Sequence, residues 1–141
     1  NGFVLRHRRP RWRQSRAMER NTKQRDAIRQ VFMDVPRPLG PFEILEEAKQ
    51  HVSGIGIATV YRTINALVEA GWLSVVELPG ESPRYERAGR GHHHHFSCRQ
   101  CSRVFELVGC AGDFKKLTPR GFKLESHEIV LYGRCNMCAA A

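Results

Sequence analysis

The first half of the chain carries apolar residues at the three- and four-residue spacing that is typical of amphipathic helices. The first helix is predicted to begin at Thr22, a residue type favoured as an N-cap, and to end before Pro36. A second helix is predicted from Pro41 to about His51, because proline is tolerated in a first helical turn. The third helix reaches Gly71, which is placed as its C-terminal cap. Its apolar face consists of Ile57, Val60, Tyr61, Ile64, Leu67 and Val68.

A strand pattern follows the third helix. Residues 72–77 and 84–86 have the composition of two short strands on either side of a Pro79-Gly80 turn. Three helices followed by such a hairpin predict a winged helix-turn-helix. In helix-turn-helix proteins the recognition helix enters the major groove of DNA.

The outer face of the third helix carries side chains that can donate to base edges or phosphates. Thr59, Arg62 and Thr63 occupy its N-terminal half, and an ordinary solvated face is the alternative interpretation. Tyr61 lies on the apolar stripe, so we expect it to pack in the core, with its hydroxyl group reaching a phosphate.

Beyond Gly89 and Gly91, which mark a linker, the pattern changes from helix to strand. A short helix is predicted at residues 113–117, and the fold class is α+β. One antiparallel sheet is predicted from three alternating segments, residues 92–98, 104–108 and 123–132.

The charge of the chain adds a class of partner. There are 23 Lys and Arg residues against 14 Asp and Glu residues, and the net charge of +9 favours nucleic acid. Residues 1–18 are expected to be a disordered basic arm or an upstream extension. A winged-helix domain is expected at residues 19–88 and a small second domain at residues 89–141. The chain lacks an apolar run of about 18 residues, which predicts a cytoplasmic protein without a membrane partner.

Four of the five cysteines form two C-x-x-C pairs, Cys98 with Cys101 and Cys135 with Cys138. Each pair places two sulfur atoms on one tight turn, and zinc takes four ligands, so the leading interpretation is a tetrahedral structural zinc site. A redox dithiol or two unrelated thiol turns are the alternatives. Cys110 is left over and is expected to be a small buried apolar residue.

Four consecutive histidines stand shortly before the first cysteine pair. Neighbouring side chains of an extended strand point to opposite faces, so His92 and His94 share one face and His93 and His95 share the other. One run can therefore serve two metal sites. A solvated loop or a tag fragment is the alternative interpretation.

The segment Ile55-Gly56-Ile57-Ala58-Thr59-Val60-Tyr61-Arg62 resembles the recognition-helix signature of the ferric uptake regulator (Fur) family. The histidine run followed by two C-x-x-C pairs resembles the metal-binding domain of that family, and the match covers about residues 19–138. The resemblance implies a winged-helix domain joined to a dimerisation domain. It also implies a homodimeric, metal-dependent repressor that binds A·T-rich, palindromic operators.

The resemblance also carries over to individual residues. It implies that the four paired cysteines hold structural zinc, and that a second divalent ion, Fe²⁺, Zn²⁺ or Mn²⁺, occupies a regulatory site. The implied regulatory ligands are Glu86, His93 and His95, with Glu106 as a further candidate. The implied ligands of an additional site are His92, His94, Asp113 and His127. The implied DNA contacts are Tyr61 and Arg62 in one groove and Arg20 in a neighbouring minor groove.

Two positions depart from the family pattern. Pro38 stands where many relatives carry a regulatory histidine, and Ala88 stands near the place where zinc-sensing relatives carry a cysteine. The expected function is control of iron or zinc homeostasis genes, without enzymatic activity and without a small-molecule substrate. The alternatives are a peroxide-sensing repressor of the same family and a zinc-stabilised dithiol oxidoreductase. His127-Glu128 begins like the H-E-x-x-H of zinc proteases, but Leu131 stands at its fifth position.

Overall fold

The computed structural model of the chain describes residues 11–141. Three helices come first: α1 (Arg11–Asp34), α2 (Pro41–Ala48) and α3 (Ile57–Glu69). A hairpin of two strands, a second sheet of three strands and a short C-terminal helix follow in that order. This arrangement confirms the predicted α+β class.

Helix α1 begins at Arg11, earlier than the predicted start at Thr22. Residues 11–21 contain no proline or glycine and include several strong helix formers, so the helix extends through them. The Thr22 hydroxyl lies inside the helix and donates a hydrogen bond to the carbonyl oxygen of Met18 at 3.0 Å. The predicted disorder of the basic arm is therefore wrong from Arg11 to Met18. Residues 1–10 lie outside the described residues.

Helix α3 ends in a Schellman motif. Gly71 has a φ of +70°, a conformation that favours glycine. Its backbone N–H donates to the carbonyl oxygen of Val68 at 3.0 Å, and the N–H of Trp72 donates to that of Leu67 at 2.9 Å. The predicted cap at Gly71 is confirmed, and it turns the chain directly into the hairpin.

The buried face of α3 differs from the predicted stripe at two positions. Tyr61 is 44% exposed, although it was expected in the core, and Thr63 is only 5% exposed, although it was expected on the outer face. At 3.6 residues per turn, Thr63 falls about 60° from Val60 and about 40° from Leu67, which both pack inward. Tyr61 falls at the margin of this face and is therefore partly exposed.

The hairpin consists of β1 (Leu73–Val76) and β2 (Arg84–Arg87), which pair antiparallel as predicted. Leu39, in the segment between α1 and α2, exchanges two backbone hydrogen bonds of 2.9 Å with Tyr85. This bridge fixes the hairpin beside the three helices. The apolar core beneath them includes Ile28, Val31, Phe32, Leu39, Ile44, Val60, Ile64 and Leu67.

The second sheet has the strand order β4-β3-β5. Its strands are β3 (His94–Cys98), β4 (Val104–Leu107) and β5 (Val130–Gly133). β3 pairs antiparallel with β4 but parallel with β5, so the prediction of a wholly antiparallel sheet is wrong. Residues 108–129 form a long connection with a 3-10 helix at Phe114–Leu117, and such a crossover is what parallel pairing requires. Helix α4 (Asn136–Ala140) ends the chain.

A small apolar cluster joins the hairpin to the second sheet. Val76 and Leu78 pack with Val104 and with the partly buried Val130. The division of the chain between residues 88 and 89 stays a prediction. Within the described residues, none of the helices combines the length and the apolarity needed to cross a membrane.

Candidate metal centres and nucleic-acid interface

The four paired cysteines come together at one end of the second sheet, as predicted. Cys98 is the last residue of β3, and Cys135 directly precedes α4. One ligand atom from each of the four lies within 4.8 Å of the others. We call this set the thiol group: Cys98, Cys101, Cys135 and Cys138.

Backbone hydrogen bonds give the thiol group a preferred site for negative charge. The N–H groups of Cys101 and Cys135 lower the pKa of the Cys98 thiol to about 6. The Cys135 thiol and burial raise the pKa of Cys138 to about 12. Four sulfur donors at one point, the first readily deprotonated, fit a structural Zn²⁺ ion.

A second set, which we call the bridging group, connects the two sheets. Glu86 projects from β2, whereas His93 immediately precedes β3 and His95 belongs to it. Glu86 Oε1 lies 2.8 Å from His93 Nε2, and Glu86 Oε2 lies 3.3 Å from His95 Nε2. The Glu86 side chain is only 6% exposed. One buried carboxylate thus contacts two imidazole rings from the neighbouring sheet.

The charges of the bridging group support one another. Burial alone would raise the pKa of Glu86, but hydrogen bonds with His95 and His93 outweigh it and leave that pKa lowered. Burial would lower the pKa of His93, but its hydrogen bonds to the Gly91 carbonyl oxygen and to Glu86 leave it raised. One carboxylate and two imidazoles form a mixed O/N donor set that suits a divalent transition metal.

Glu106, the further regulatory candidate, lies beside the bridging group and not in it. It stands opposite His95 in the pairing of β3 with β4. Its carboxylate accepts a hydrogen bond from the guanidinium group of Arg90. Pro38, at the position of the expected histidine, is fully buried and offers no ligand atom.

The third set differs from the predicted additional site. His92, His94 and His127 come together, but Cys110 completes the set in place of Asp113. Asp113 caps the 3-10 helix by accepting the backbone N–H of Lys115 at 2.9 Å. Cys110 is exposed, so its predicted burial is also wrong. The sequence does contain a signal for this ligand: Cys110 belongs to neither C-x-x-C pair and occurs in a chain with a histidine run.

Three of the five predicted DNA contacts line one groove, whereas Thr63 is buried and Tyr61 is exposed outside the residues that line it. Arg20 of α1 and Thr59 and Arg62 of α3 line a shared groove. Arg62 donates a hydrogen bond to the Thr59 hydroxyl at 3.2 Å. Gln24 of α1 donates to the carbonyl oxygen of Gly54 at 3.3 Å and ties the two edges of the groove together. This surface offers cationic and hydroxyl donors side by side.

Comparison with known proteins identifies relatives of this architecture. A sequence profile of the ferric uptake regulator family matches residues 17–132. The chain is 32% identical over 122 residues to the ferric uptake regulation protein of Campylobacter jejuni, covering 83% of this chain and 78% of that protein. It is 30% identical over 131 residues to the zinc uptake regulation protein of Mycobacterium tuberculosis, covering 88% and 98%.

A comparison with solved structures also finds a member of the ferric uptake regulator family. The structure of the Helicobacter pylori ferric uptake regulator, which is described as revealing three functional metal binding sites, is similar with a TM-score of 0.60. The two chains are 27% identical, and the match covers 90% of this chain and 89% of that one.

Proposed function

Because this chain belongs to the ferric uptake regulator family, we propose that it is a metal-dependent transcriptional repressor whose DNA affinity is set by the bridging group. The proposed ligands are Glu86, His93 and His95, and the proposed targets are operators of iron or zinc homeostasis genes. The observation that carries the proposal is the position of Glu86, a buried carboxylate of the hairpin that contacts two imidazoles of the second sheet.

The bridging group joins the part of the molecule that reads DNA to the part that would hold a second copy. β2 pairs with β1, and β1 follows α3 through the Schellman turn. A fixed relation between β2 and β3 therefore also fixes α3 relative to the second sheet. Glu86, His93 and His95 would hold a divalent cation, which would supply the attraction that keeps one carboxylate and two neutral imidazoles together. When these side chains are apart, fewer molecules have both α3 helices correctly spaced, and apparent affinity falls by that fraction.

The donor set admits more than one metal. Carboxylate and imidazole ligands suit Fe²⁺, Zn²⁺ and Mn²⁺, and affinity alone does not separate these ions because cellular availability also decides occupancy. The relatives include ferric and zinc regulators. The thiol group is proposed to hold structural Zn²⁺.

The proposed DNA contacts are side chains on and beside α3. Tyr61 and Arg62 are exposed on α3 and Thr59 is half-buried, and Arg20 lines the same groove as Thr59 and Arg62. The net charge of +9 supports binding to the phosphate backbone. A helix in the major groove would place Arg62 at base edges and leave Arg20 for the backbone or a minor groove.

A second copy of the chain is the proposed protein partner. The connection between β4 and β5 exposes large apolar side chains, including Val108 at 95%, Leu117 at 79% and Phe122 at 73%. Apolar side chains in this number on one segment are typical of an interaction surface. A homodimer with twofold symmetry would place its two α3 helices on the halves of an A·T-rich palindrome.

The test is a titration of DNA binding with metal. A labelled A·T-rich palindromic duplex, selected in vitro with the wild-type protein, is bound at graded Mn²⁺, Fe²⁺ or Zn²⁺ and followed by fluorescence anisotropy. The wild-type affinity should rise with metal, and His93→Ala and His95→Ala should abolish most of that rise. The matched control is His51→Ala. His51 lies outside the three sets of candidate ligands and pairs with Asp34 at 3.5 Å, so this variant should respond to metal like the wild-type protein.

A second variant separates metal sensing from DNA reading. Arg62→Ala should weaken binding by about 1 to 3 kcal/mol at every metal concentration, because it removes a base or phosphate contact but no ligand. Unaltered metal dependence in both histidine variants would reject the regulatory role of the bridging group. Unaltered affinity in Arg62→Ala would reject the proposed DNA surface.

A further inference from the structure

We propose that Cys110, His92 and His127 form a metal site whose thiolate ligand makes it prefer Zn²⁺ to Mn²⁺ and Fe²⁺, with His94 as its buried wall. The proposal does not depend on the bridging group, since none of these residues belongs to that set. It replaces the oxygen ligand expected at Asp113 with sulfur, and this changes the chemistry of the site.

The contacts of His127 carry the geometry. Its Nε2 lies 3.1 Å from His92 Nε2 and also 3.1 Å from Cys110 Sγ. A ring nitrogen has either one lone pair or one proton, so His127 Nε2 cannot satisfy both neighbours well with ordinary hydrogen bonds. Ligand atoms about 2.0 to 2.3 Å from a tetrahedral Zn²⁺ ion lie roughly 3.3 to 3.6 Å from one another. The observed separations are therefore close to those of atoms that share one cation.

His94 provides an independent sign that the cluster is built for a ligand. The residue is 3% exposed, and its Nε2 is buried without a hydrogen-bond partner among the described residues. Its Nδ1 accepts the backbone N–H of Ile129 at 3.2 Å, which places the proton of the neutral ring on Nε2. A buried N–H without an acceptor is costly, and a ring nitrogen of His94 lies within 4.8 Å of the Cys110 sulfur. Because an N–H cannot bind a cation, His94 is placed beside the proposed site and not among its ligands, on the side of the Cys110 sulfur.

The position of the cluster gives the site a structural use. His92 precedes β3, Cys110 follows β4, and His127 precedes β5. One ion bound by the three would connect the long crossover at both ends to the central strand. Cys110 and His92 are exposed, so an ion has access from solvent.

Sulfur as a ligand decides the selectivity. Thiolate and imidazole donors favour Zn²⁺ and Co²⁺, whereas Mn²⁺ prefers carboxylate, carbonyl and water oxygens. Changing Cys110 to aspartate would restore an oxygen donor and shift the preference toward Mn²⁺. We expect a relative change of roughly tenfold or more, because even residues that only support ligands alter metal affinity by about 10- to 100-fold.

The experiment uses Co²⁺ as an optical probe in full-length His93→Ala protein, whose bridging group is disabled. The thiol group is loaded with Zn²⁺, and metal analysis before and after the titration checks that one equivalent stays bound. We expect added Co²⁺ to produce sulfur-to-cobalt charge-transfer absorption in the near ultraviolet. Cys110→Ser in the same background should abolish that band, and His127→Ala should weaken Co²⁺ binding by roughly tenfold or more.

Alkylation of Cys110 with iodoacetamide, followed by mass spectrometry, provides a second readout. Added Zn²⁺ should protect Cys110 in the wild-type protein but not in His127→Ala. Undiminished charge-transfer absorption in Cys110→Ser, or equal alkylation with and without Zn²⁺, would overturn the proposal and leave only hydrogen bonds between thiol and imidazole. Neither result bears on DNA binding, so the regulatory proposal stands or falls separately.

Discussion

The thiol group and the bridging group use their ligands in opposite ways. The thiol group draws its four sulfur atoms from the last residue of β3, the turn after it and the segment after β5, so it closes one end of one sheet. The bridging group draws its carboxylate from the hairpin and its two imidazoles from the second sheet. A metal centre within one sheet, such as the thiol group, affects whether that sheet folds. A metal centre between two sheets, such as the bridging group, affects how the sheets are positioned relative to each other.

The two groups also differ in how they hold together without metal. Four thiols give each other no counter-charge, and backbone N–H groups stabilise negative charge mainly at Cys98. Glu86, by contrast, already contacts two imidazole rings, and its hydrogen bond helps to raise the pKa of His93. A cation at the bridging group therefore competes with protons for these imidazoles, whereas the thiol group depends on its cation for cohesion.

The largest expected effect is that of Cys98→Ser. Structural zinc contributes an apparent free energy of roughly 10 to 16 kcal/mol in small zinc modules, and loss of one ligand removes much of it. We expect the second sheet to unfold, with loss of bound zinc and of its part of the circular dichroism signal on thermal melting. His51→Ala, a variant of a residue outside all three sets of candidate ligands, is the control and should melt nearly like the wild-type protein. A wild-type melting curve for Cys98→Ser would show that the thiol group is not needed for folding, and this would contradict the difference proposed between the two groups.

Glu86→Gln should leave the second sheet folded and the structural zinc in place but remove the response of DNA binding to metal, the reverse of what is expected for Cys98→Ser. The amide keeps the size of the side chain but removes the charge that a cation needs, so the metal-dependent gain in DNA affinity should be lost while the zinc of the thiol group is retained. The loss is expected to be about tenfold or more in affinity, the scale on which supporting residues alter metal binding. Anisotropy titrations and metal analysis of the same preparation provide both values. A zinc content that falls together with DNA affinity would show that the two groups are not independent.

These two groups were predictable to different degrees. The spacing of Cys98 and Cys101 and that of Cys135 and Cys138 suffice to predict the thiol group, because each pair lies on one turn. The alternation of the histidine run predicts that His93 and His95 share a face. Their meeting with Glu86 depends on how two sheets pack, and this contact came from the family resemblance because local periodicity contains no such information.

The errors have physical causes of the same kind. Periodicity does not give strand direction, so the parallel pairing of β5 with β3 was missed. Cys110 was misplaced because the connection from β4 to β5 is largely irregular, and burial there follows from tertiary contacts. The face of α3 was displaced at Tyr61 and Thr63 because a small threonine packs between apolar neighbours as easily as it faces water.

The smallest expected effect is a pH dependence that only the bridging group should produce in protein freed of its regulatory metal. The pKa of Glu86 is lowered by folding, so its stabilising contribution is complete above its usual value of 4.5 and is lost as pH falls through the lowered pKa. The pKa of His93 is raised, so its contribution is complete below 6.5 and is lost as pH rises through the raised pKa. The pair should therefore stabilise the fold most between pH 4.5 and 6.5.

Urea denaturation of the wild-type protein and of Glu86→Gln across this range measures the effect, with zinc retained in the thiol group. The difference in unfolding free energy should peak inside the window at roughly 1.5 to 3 kcal/mol, the scale of a hydrogen bond to a charged group. This difference should decrease below the window, where Glu86 becomes protonated, and above it, where His93 loses its proton. Saturating the bridging group with Mn²⁺ should flatten the upper limb, since bound metal keeps protons off both imidazoles. A difference that is constant with pH would mean that the carboxylate stabilises the fold through packing alone, and the contrast with the thiol group would then rest on metal binding only.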